Sequence, residues 1–218
     1  MLLADRILYI DATLLAVDKW RGLPVSGHPR GGTTVEAHLD SLRFGYTRRP
    51  EPAHRLDTDT SGVLLLARNP RTLARLQQAF EAREVGKTYL AVLDGDVAED
   101  GTCRLPLAKV SSATYGWRMV ASAKGKPATT RWQRLAKLPS GTLVRFEPET
   151  GRTHQLRVHA ASGLGAPIVG DPIYGRGQGM MLHAWRLNVP ARAGERLRIE
   201  APLPDHFAAA GVTADMLQ

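Results

Sequence analysis

A single cysteine, Cys103, stands in the whole sequence. It excludes an intramolecular disulfide framework and fits a reducing, cytoplasmic setting. No apolar run approaches the length that spans a bilayer, and the N-terminal stretch MLLADRILYIDATLLAVDKW is broken by acidic residues where a signal peptide would be uninterrupted. Internal repeats, low-complexity tracts and long linkers are also lacking. So are the phosphate-cradling patterns GxGxxG and GxxxxGK[ST] and the GxSxG nucleophile elbow. Seven histidines invite a metal, but His154 and His159 are five apart, off any common helix face or strand face. Without HExxH or a neighbouring cysteine, no metal site is expected.

What is present is basic. Lys and Arg number 29 against 21 acidic residues, for a net charge of +8, which suits a polyanionic partner such as nucleic acid. A hydrophobic share of 43% and a charged share of 23% are those of an ordinary globular protein with a real core.

Periodicity predicts strands at 7–10 and 13–18 around a turn at Asp11, then a basic Gly- and Pro-rich loop from Lys19 to Gly32. Thr33 or Thr34 caps a short helix, TVEAHLDSLRF. A strand follows at Val63–Ala67, and Asn69-Pro70 starts a helix running to Val85. KTYLAVLDGDV reads as a strand, TTRWQRLAKLPSGTLVRFEPET as a hairpin turning at Pro139-Ser140-Gly141, HQLRVHAAS as a helix, and MLHAWRLNV and RLRIEAP as two last strands. Strands dominate without regular alternation with helices. That favours an α+β fold with a mixed, mainly antiparallel sheet and flanking helices.

Two polar segments stand at the mouths of apolar elements: HRLDTDTSG at 54–62 and ETGRTHQLRVH at 149–159. Each has a plain structural reading, Asp57 as a turn residue and Arg152 on a solvated face. Together they suggest an Asp and an Arg meeting in one cleft. A carboxylate beside a guanidinium stays ionised. It then suits attack on carbon or abstraction of a carbon-bound proton better than general-acid work.

HRLD followed by TSG, then GRTHQLRVH and PIVGDPIYG, closely resembles the RluA family of RNA pseudouridine synthases. Val17-Asp18-Lys19 with Gly22-Leu23-Pro24-Val25 looks like its first motif, Lys87-Thr88-Tyr89 like its K-x-Y segment, and Leu182-His183-Ala184 like its C-terminal LHA. The resemblance covers nearly the whole chain. It implies the pseudouridine synthase fold, a long mixed sheet crossed by a central cleft, and residues 1–218 as one catalytic domain without an S4 RNA-binding domain. It also implies an isomerase that breaks the N1–C1′ bond of a uridine in RNA and rejoins the uracil through C5, with neither metal nor cofactor.

Carried over position by position, the resemblance makes Asp57 the catalytic aspartate. Arg55 matches an arginine that takes the space of the flipped nucleotide, since the bond cannot be reached inside a stack. Tyr89 matches the tyrosine that packs on the uracil and helps remove the C5 proton. Arg152 matches the partner of the catalytic aspartate, and Leu156 an apolar residue lining the base pocket. Trp20 and Arg21 depart from the first motif, the run around Ser162–Gly165 is longer than usual, and Asp59 aligns with nothing and is expected to be exposed.

The compact layout is similar to the dual-specificity branch, which acts on a tRNA anticodon stem-loop and a large-subunit (23S) rRNA stem-loop. Gly125-Lys126-Pro127-Ala128 adds to that similarity. A tRNA-specific relative or another rRNA target stays open. The expected partner is structured RNA, not a membrane, and the expected state is a monomer. Phosphate contacts are expected among Arg21, Arg30, Lys109, Arg118, Lys124 and Lys126. Two rivals are a catalytically inactive RNA-binding module of the same fold and a glycoside hydrolase. The intact set of Asp57, Tyr89 and Arg152 argues against the first. The second would need a flanking pair of carboxylates that Asp57 and Asp59, two residues apart, do not make.

Overall fold

A computed structural model describes residues 2–27, 32–112, 114, 116–191 and 194–217. Arg30, one of the basic candidates, lies outside the described residues. In chain order the strands are β1 (Ile7–Ile10), β2 (Leu14–Lys19), β3 (Glu51–Pro52), β4 (Ser61–Ala67), β5 (Gly86–Leu93) and β6 (Asp100–Cys103). They continue with β7 (Leu107–Ser112), β8 (Gly116–Ala121), β9 (Thr130–Leu138), β10 (Gly141–Pro148), β11 (Leu182–Pro190) and β12 (Arg196–Glu200). The α-helices are α1 (Val35–His38), α2 (Pro70–Glu81), α3 (Gln155–Val158) and α4 (Asp205–Ala209). Pairing is mainly antiparallel, and the fold is α+β, as the strand-rich pattern predicts. The residues gather into two compact units, Met1–Lys87 with Ala184–Pro202, and Thr88–His183 with Leu203–Gln218.

In the first unit, β1 pairs with β2 and β2 with β4, while β3 lies beside β4 and β12 beside β11. The β1–β2 turn exists because Asp11 Oδ1 accepts from the amides of Thr13 (2.6 Å) and Leu14 (2.8 Å), a side chain standing in for a turn carbonyl. Every residue of β2 and β4 is buried, so their apolar stretches, Leu14–Val17 and Val63–Ala67, run without alternation. Their core includes Leu14, Ala16, Val63 and Leu65, with Leu76 and Ala79 of α2 packed on it.

Helix α2 begins where Asn69 Oδ1 caps the Thr72 amide at 2.8 Å, with proline at the first helical position. It ends at Glu81 and not at Val85, because Arg83 turns left-handed (φ 61°) and the Glu84 amide returns to the Ala79 carbonyl at 2.9 Å. The helix predicted from Thr34 is one α-helical turn, α1, that tightens into 3-10 geometry over Leu39–Leu42. Thr34 is its cap, accepting from Ala37 at 3.3 Å.

In the second unit, β5, β10, β9 and β6 form an antiparallel run, with the β9–β10 hairpin turning where Pro139-Ser140-Gly141 predicts it. β7 and β8 make a separate two-stranded hairpin. Strands β3, β6, β7 and β8 were not predicted; they are short, and none carries a sustained apolar alternation. The helix read over 154–162 is α3 followed by a π-helical turn at His159–Gly163, with His154 outside it in a left-handed conformation (φ 53°).

Candidate active site

The segment HRLDTDTSG leaves β3 and enters β4 in the first unit. Its start is fixed by pairing that passes from backbone to side chain. The Ala53 amide donates to the Leu65 carbonyl at 2.9 Å, and His54 Nε2 then accepts from the Leu65 amide at 3.0 Å. His54 packs on Phe80, ring centroids 4.7 Å apart, and burial pushes its pKa down to about 4. A neutral ring is what the acceptor role requires. At the far end, Gly62 has φ 107°, and a Cβ there would stand 2.2 Å from the Ala184 carbonyl oxygen. Only glycine lets the two backbones come so close.

Between these ends the loop is held by Lys19. Its ammonium donates to the carbonyls of Leu23 (2.8 Å), Thr58 (3.0 Å) and Trp20 (3.1 Å), and the residue is completely buried. Burial pushes its pKa from 10.5 down to about 7, against the attraction of Asp59, Asp57 and Asp18. The Thr58 carbonyl takes a second bond from the Gly22 amide at 2.9 Å. The Lys19–Leu23 turn and the Asp57–Thr58 turn are therefore one assembly. Asp18, 4% exposed, is bonded by Arg6, and its burial raises its pKa despite that guanidinium.

Within this assembly Leu56 is buried at 5% exposure, Asp57 is half-buried and Arg55 is exposed. The alternation puts Arg55 and Asp57 outward on either side of an apolar anchor. Asp59 is half-buried rather than exposed, in the turn that Lys19 holds through the Thr58 carbonyl.

In the second unit, Tyr89 lies half-buried on β5, opposite Phe146 of β10. The segment ETGRTHQLRVH is built around Gln155, 4% exposed. Its Oε1 accepts from Thr150 Oγ1 (2.7 Å) and the Arg152 amide (3.0 Å), and its Nε2 donates to the Thr129 carbonyl (3.0 Å) and Thr130 Oγ1 (3.0 Å). His159 completes the network. Its Nε2 donates to the Leu105 carbonyl at 3.0 Å while its Nδ1 meets Thr130 Oγ1 at 2.9 Å, and burial lowers its pKa. Arg152 is thereby set on a fixed turn, its Nε donating to the Pro127 carbonyl at 3.1 Å. Leu156 is buried at 6% exposure.

Arg157 and Asp171 clamp this segment to PIVGDPIYG through two parallel bonds of 2.7 Å. Asp171 is fully buried and also accepts from the amides of Ile173 (2.8 Å) and Tyr174 (3.1 Å). Burial alone would raise its pKa; the Arg157 guanidinium and the two amides hold it below the usual value. The Tyr174 hydroxyl accepts from the Met119 amide at 3.0 Å and shares a 2.9 Å hydrogen bond with His154 Nδ1.

Sequence reasoning singled out Arg55, Asp57, Tyr89, Arg152 and Leu156. It missed the holding roles of Lys19, His54, Gln155, Arg157 and Asp171, although all five sit inside the quoted motifs. The available signal was polar residues bordering apolar runs at positions where exposure would waste the run. Of the basic candidates, Lys109, Lys124 and Lys126 are exposed, and Arg21 and Arg118 are half-buried. Among the described residues, no group of three His, Cys, Asp or Glu side chains could hold a metal ion.

The sequence profile of a family described as RNA pseudouridylate synthase matches residues 13–162, which include both loops of the first-unit assembly. The chain belongs to the RNA pseudouridylate synthase family. Its activity is that of an isomerase that converts uridine in RNA to pseudouridine. An uncharacterized RNA pseudouridine synthase of Zymomonas mobilis is 51% identical over 94% of this chain and 97% of that protein. The ribosomal large subunit pseudouridine synthase D of Nitrosomonas europaea is 35% identical over 94% of this chain, which spans 63% of that longer protein. Among solved structures, human RNA pseudouridylate synthase domain containing 4 superposes with a TM-score of 0.80 at 27% identity, covering 95% of this chain and 92% of that one. Human RNA pseudouridylate synthase domain containing 1 gives 0.75 at 29% identity, covering 97% and 92%. No helix among the described residues is long and apolar enough to cross a membrane.

Proposed function

We propose that this pseudouridylate synthase modifies a uridine in a stem-loop of large-subunit ribosomal RNA, of the tRNA anticodon arm, or of both, with Asp57 as its catalytic residue. The observation that carries the assignment of Asp57 is the loop itself: its ends are fixed by His54 and Gly62, and its centre by the buried ammonium of Lys19. A reacting carboxylate held this way loses little freedom on meeting its substrate. The ribosomal reading is supported by two relatives named as large-subunit pseudouridine synthases, D of Nitrosomonas europaea and C of Rickettsia felis, both 35% identical to this chain.

The chemistry balances without any other reactant. The N1–C1′ bond breaks, uracil rotates, a C5–C1′ bond forms, C5 loses its proton and N1 gains one. Asp57 serves the first step by its carboxylate. Arg55, exposed beside it, takes the space of the extruded nucleotide, and Tyr89, Arg152 and Leu156 carry the roles that their family motifs imply. The test is to map pseudouridines in total RNA from a deletion strain. One or more sites should vanish, return with the wild-type gene and stay absent with Asp57→Asn. Full restoration by Asp57→Asn would refute the assignment of Asp57, and an unchanged pseudouridine map would refute the RNA target.

A further inference from the structure

The segment Arg43-Phe44-Gly45-Tyr46-Thr47-Arg48-Arg49, in the first unit, belongs to none of the family motifs. It presents two aromatic rings to solvent, Phe44 at 45% exposure and Tyr46 at 43%. Phe44 is held at φ 45°, followed by Gly45 at φ 85°. A bulky residue in the left-handed region is strained, and such strain persists where the surroundings enforce it.

The enforcing group is Arg68, buried at 7% exposure. Its guanidinium donates to the carbonyls of Asp11 (2.8 Å) and Arg43 (3.0 Å) and lies 3.8 Å from the centroid of the Tyr46 ring. The Tyr46 hydroxyl reaches the Ala12 carbonyl at 3.4 Å. One face of the ring is thus fixed from below. Ala12 also borders a groove of about 1030 Å³ whose lining includes Arg71 and Arg75 at the start of α2. Arg43 and Arg48 are paired with Asp40 and Glu51, but among the described residues no carboxylate pairs with Arg49, Arg71 or Arg75.

From the exposed, pre-positioned rings and the uncompensated arginines of the same unit, we infer that the Phe44–Tyr46 loop is a second RNA contact, stacking unpaired bases while Arg49, Arg71 and Arg75 take phosphates of the same strand. This rests on the reading of the chain as an RNA-modifying enzyme. Stacking on aromatic side chains accepts any base, and a ring already immobilised loses little entropy on binding. A protein-docking patch would have no use for three such cations in the same unit unless its partner were acidic.

The decisive variant is Phe44→Gly. Glycine accepts φ 45° without strain and the Phe44 ring is 45% exposed, so the melting temperature should stay near the wild-type value. Binding of labelled oligouridine should nonetheless weaken about tenfold, while binding of heparin, a polyanion without bases, stays at the wild-type level. Arg75→Gln should weaken both probes and lower the salt dependence of oligouridine binding by about one unit. Wild-type affinity of Phe44→Gly for oligouridine, or equal losses for oligouridine and heparin, would overturn the inference. Ultraviolet crosslinking of 4-thiouridine RNA gives a second readout in the unmodified protein. Adducts on residues 44–48 support the contact, and their absence counts against it. These binding results stand apart from the pseudouridine map, so the patch and the enzymatic target can fail separately.

Discussion

Two buried cations, one in each unit, hold the two signature segments by opposite means. Lys19 is enclosed by three carbonyl oxygens. Arg157 is locked fork to fork on Asp171. A lysine ammonium is a compact point charge whose three donors can follow three carbonyls from different turns. A guanidinium fixes direction as well as distance, which suits joining two separate stretches of chain. The first arrangement also leaves a group whose charge is lost near neutral pH, since burial has brought Lys19 to about 7. The second keeps its charge throughout.

The largest effect should separate the held group from its holder. Asp57→Asn should lower turnover of the purified enzyme by at least roughly a thousandfold, with a melting temperature near the wild-type value, because Asp57 is half-buried and asparagine keeps its shape. Turnover within tenfold of wild type would make Asp57 only the turn residue that its local sequence also allows.

Breaking the guanidinium clamp should cost stability instead. Arg157→Met leaves Asp171 buried with only the Ile173 and Tyr174 amides as partners, a change worth about 3–5 kcal/mol, readable by urea denaturation. Replacing both partners with apolar residues should recover much of that loss. The folded pKa of Asp171 is depressed, so its contribution is present above the unfolded value of 3.8 and is lost as pH falls through the lower folded value. A variant with wild-type urea midpoint at pH 7 would show the pair to be dispensable.

Lys19→Met should cost less, about 1–3 kcal/mol for carbonyls left without donors, because the lysine's own desolvation is relieved at the same time. The pH dependence carries the sharper test. Below about 7 the lysine is charged in both folded and unfolded states; between about 7 and 10.5 the unfolded chain binds the extra proton. Wild-type stability should therefore rise relative to Lys19→Met across that window. A flat difference between pH 6 and 10 would mean that the ammonium keeps its charge when buried.

Long apolar elements were legible in the sequence, and so were capped starts: β2, β4, α2 and the β9–β10 hairpin lie where periodicity and turn chemistry place them. What escaped was decided by side chains reaching across the chain. Gln155 reads as an ordinary helical glutamine, yet it is the hub of four hydrogen bonds, two of them to Thr129 and Thr130, which carry no motif signal. Lys19 looks like the first residue of a basic loop and is completely buried. The candidate residues themselves were legible through their family pattern; the groups that hold them were hidden because polar burial depends on tertiary partners.

The smallest predicted effect concerns the β7–β8 hairpin, which meets the Arg157-clamped region through the apolar cluster of Leu107, Met119, Ala121 and Val158, an aromatic stack and one amide. Trp117 is 46% exposed, stacks on His154 at 5.2 Å between centroids with a 27° tilt, and carries Lys109 at 5.0 Å from its ring. His154 in turn shares its Nδ1 with the Tyr174 hydroxyl, which accepts the Met119 amide of β8. Trp117→Ala removes the stack but leaves that amide bond and the hairpin's own pairing. It should therefore cost only about 0.5–1.5 kcal/mol, and the loss should be local. Hydrogen exchange of the β7 and β8 amides should quicken, while the β9–β10 amides keep wild-type rates. Tyr174→Phe, which takes away the Met119 acceptor, should quicken exchange at Met119 most of all. If Trp117→Ala instead lowered global stability as far as Arg157→Met, the hairpin would be part of the clamp itself and the contrast between a strong ionic joint and a weak aromatic one would fail.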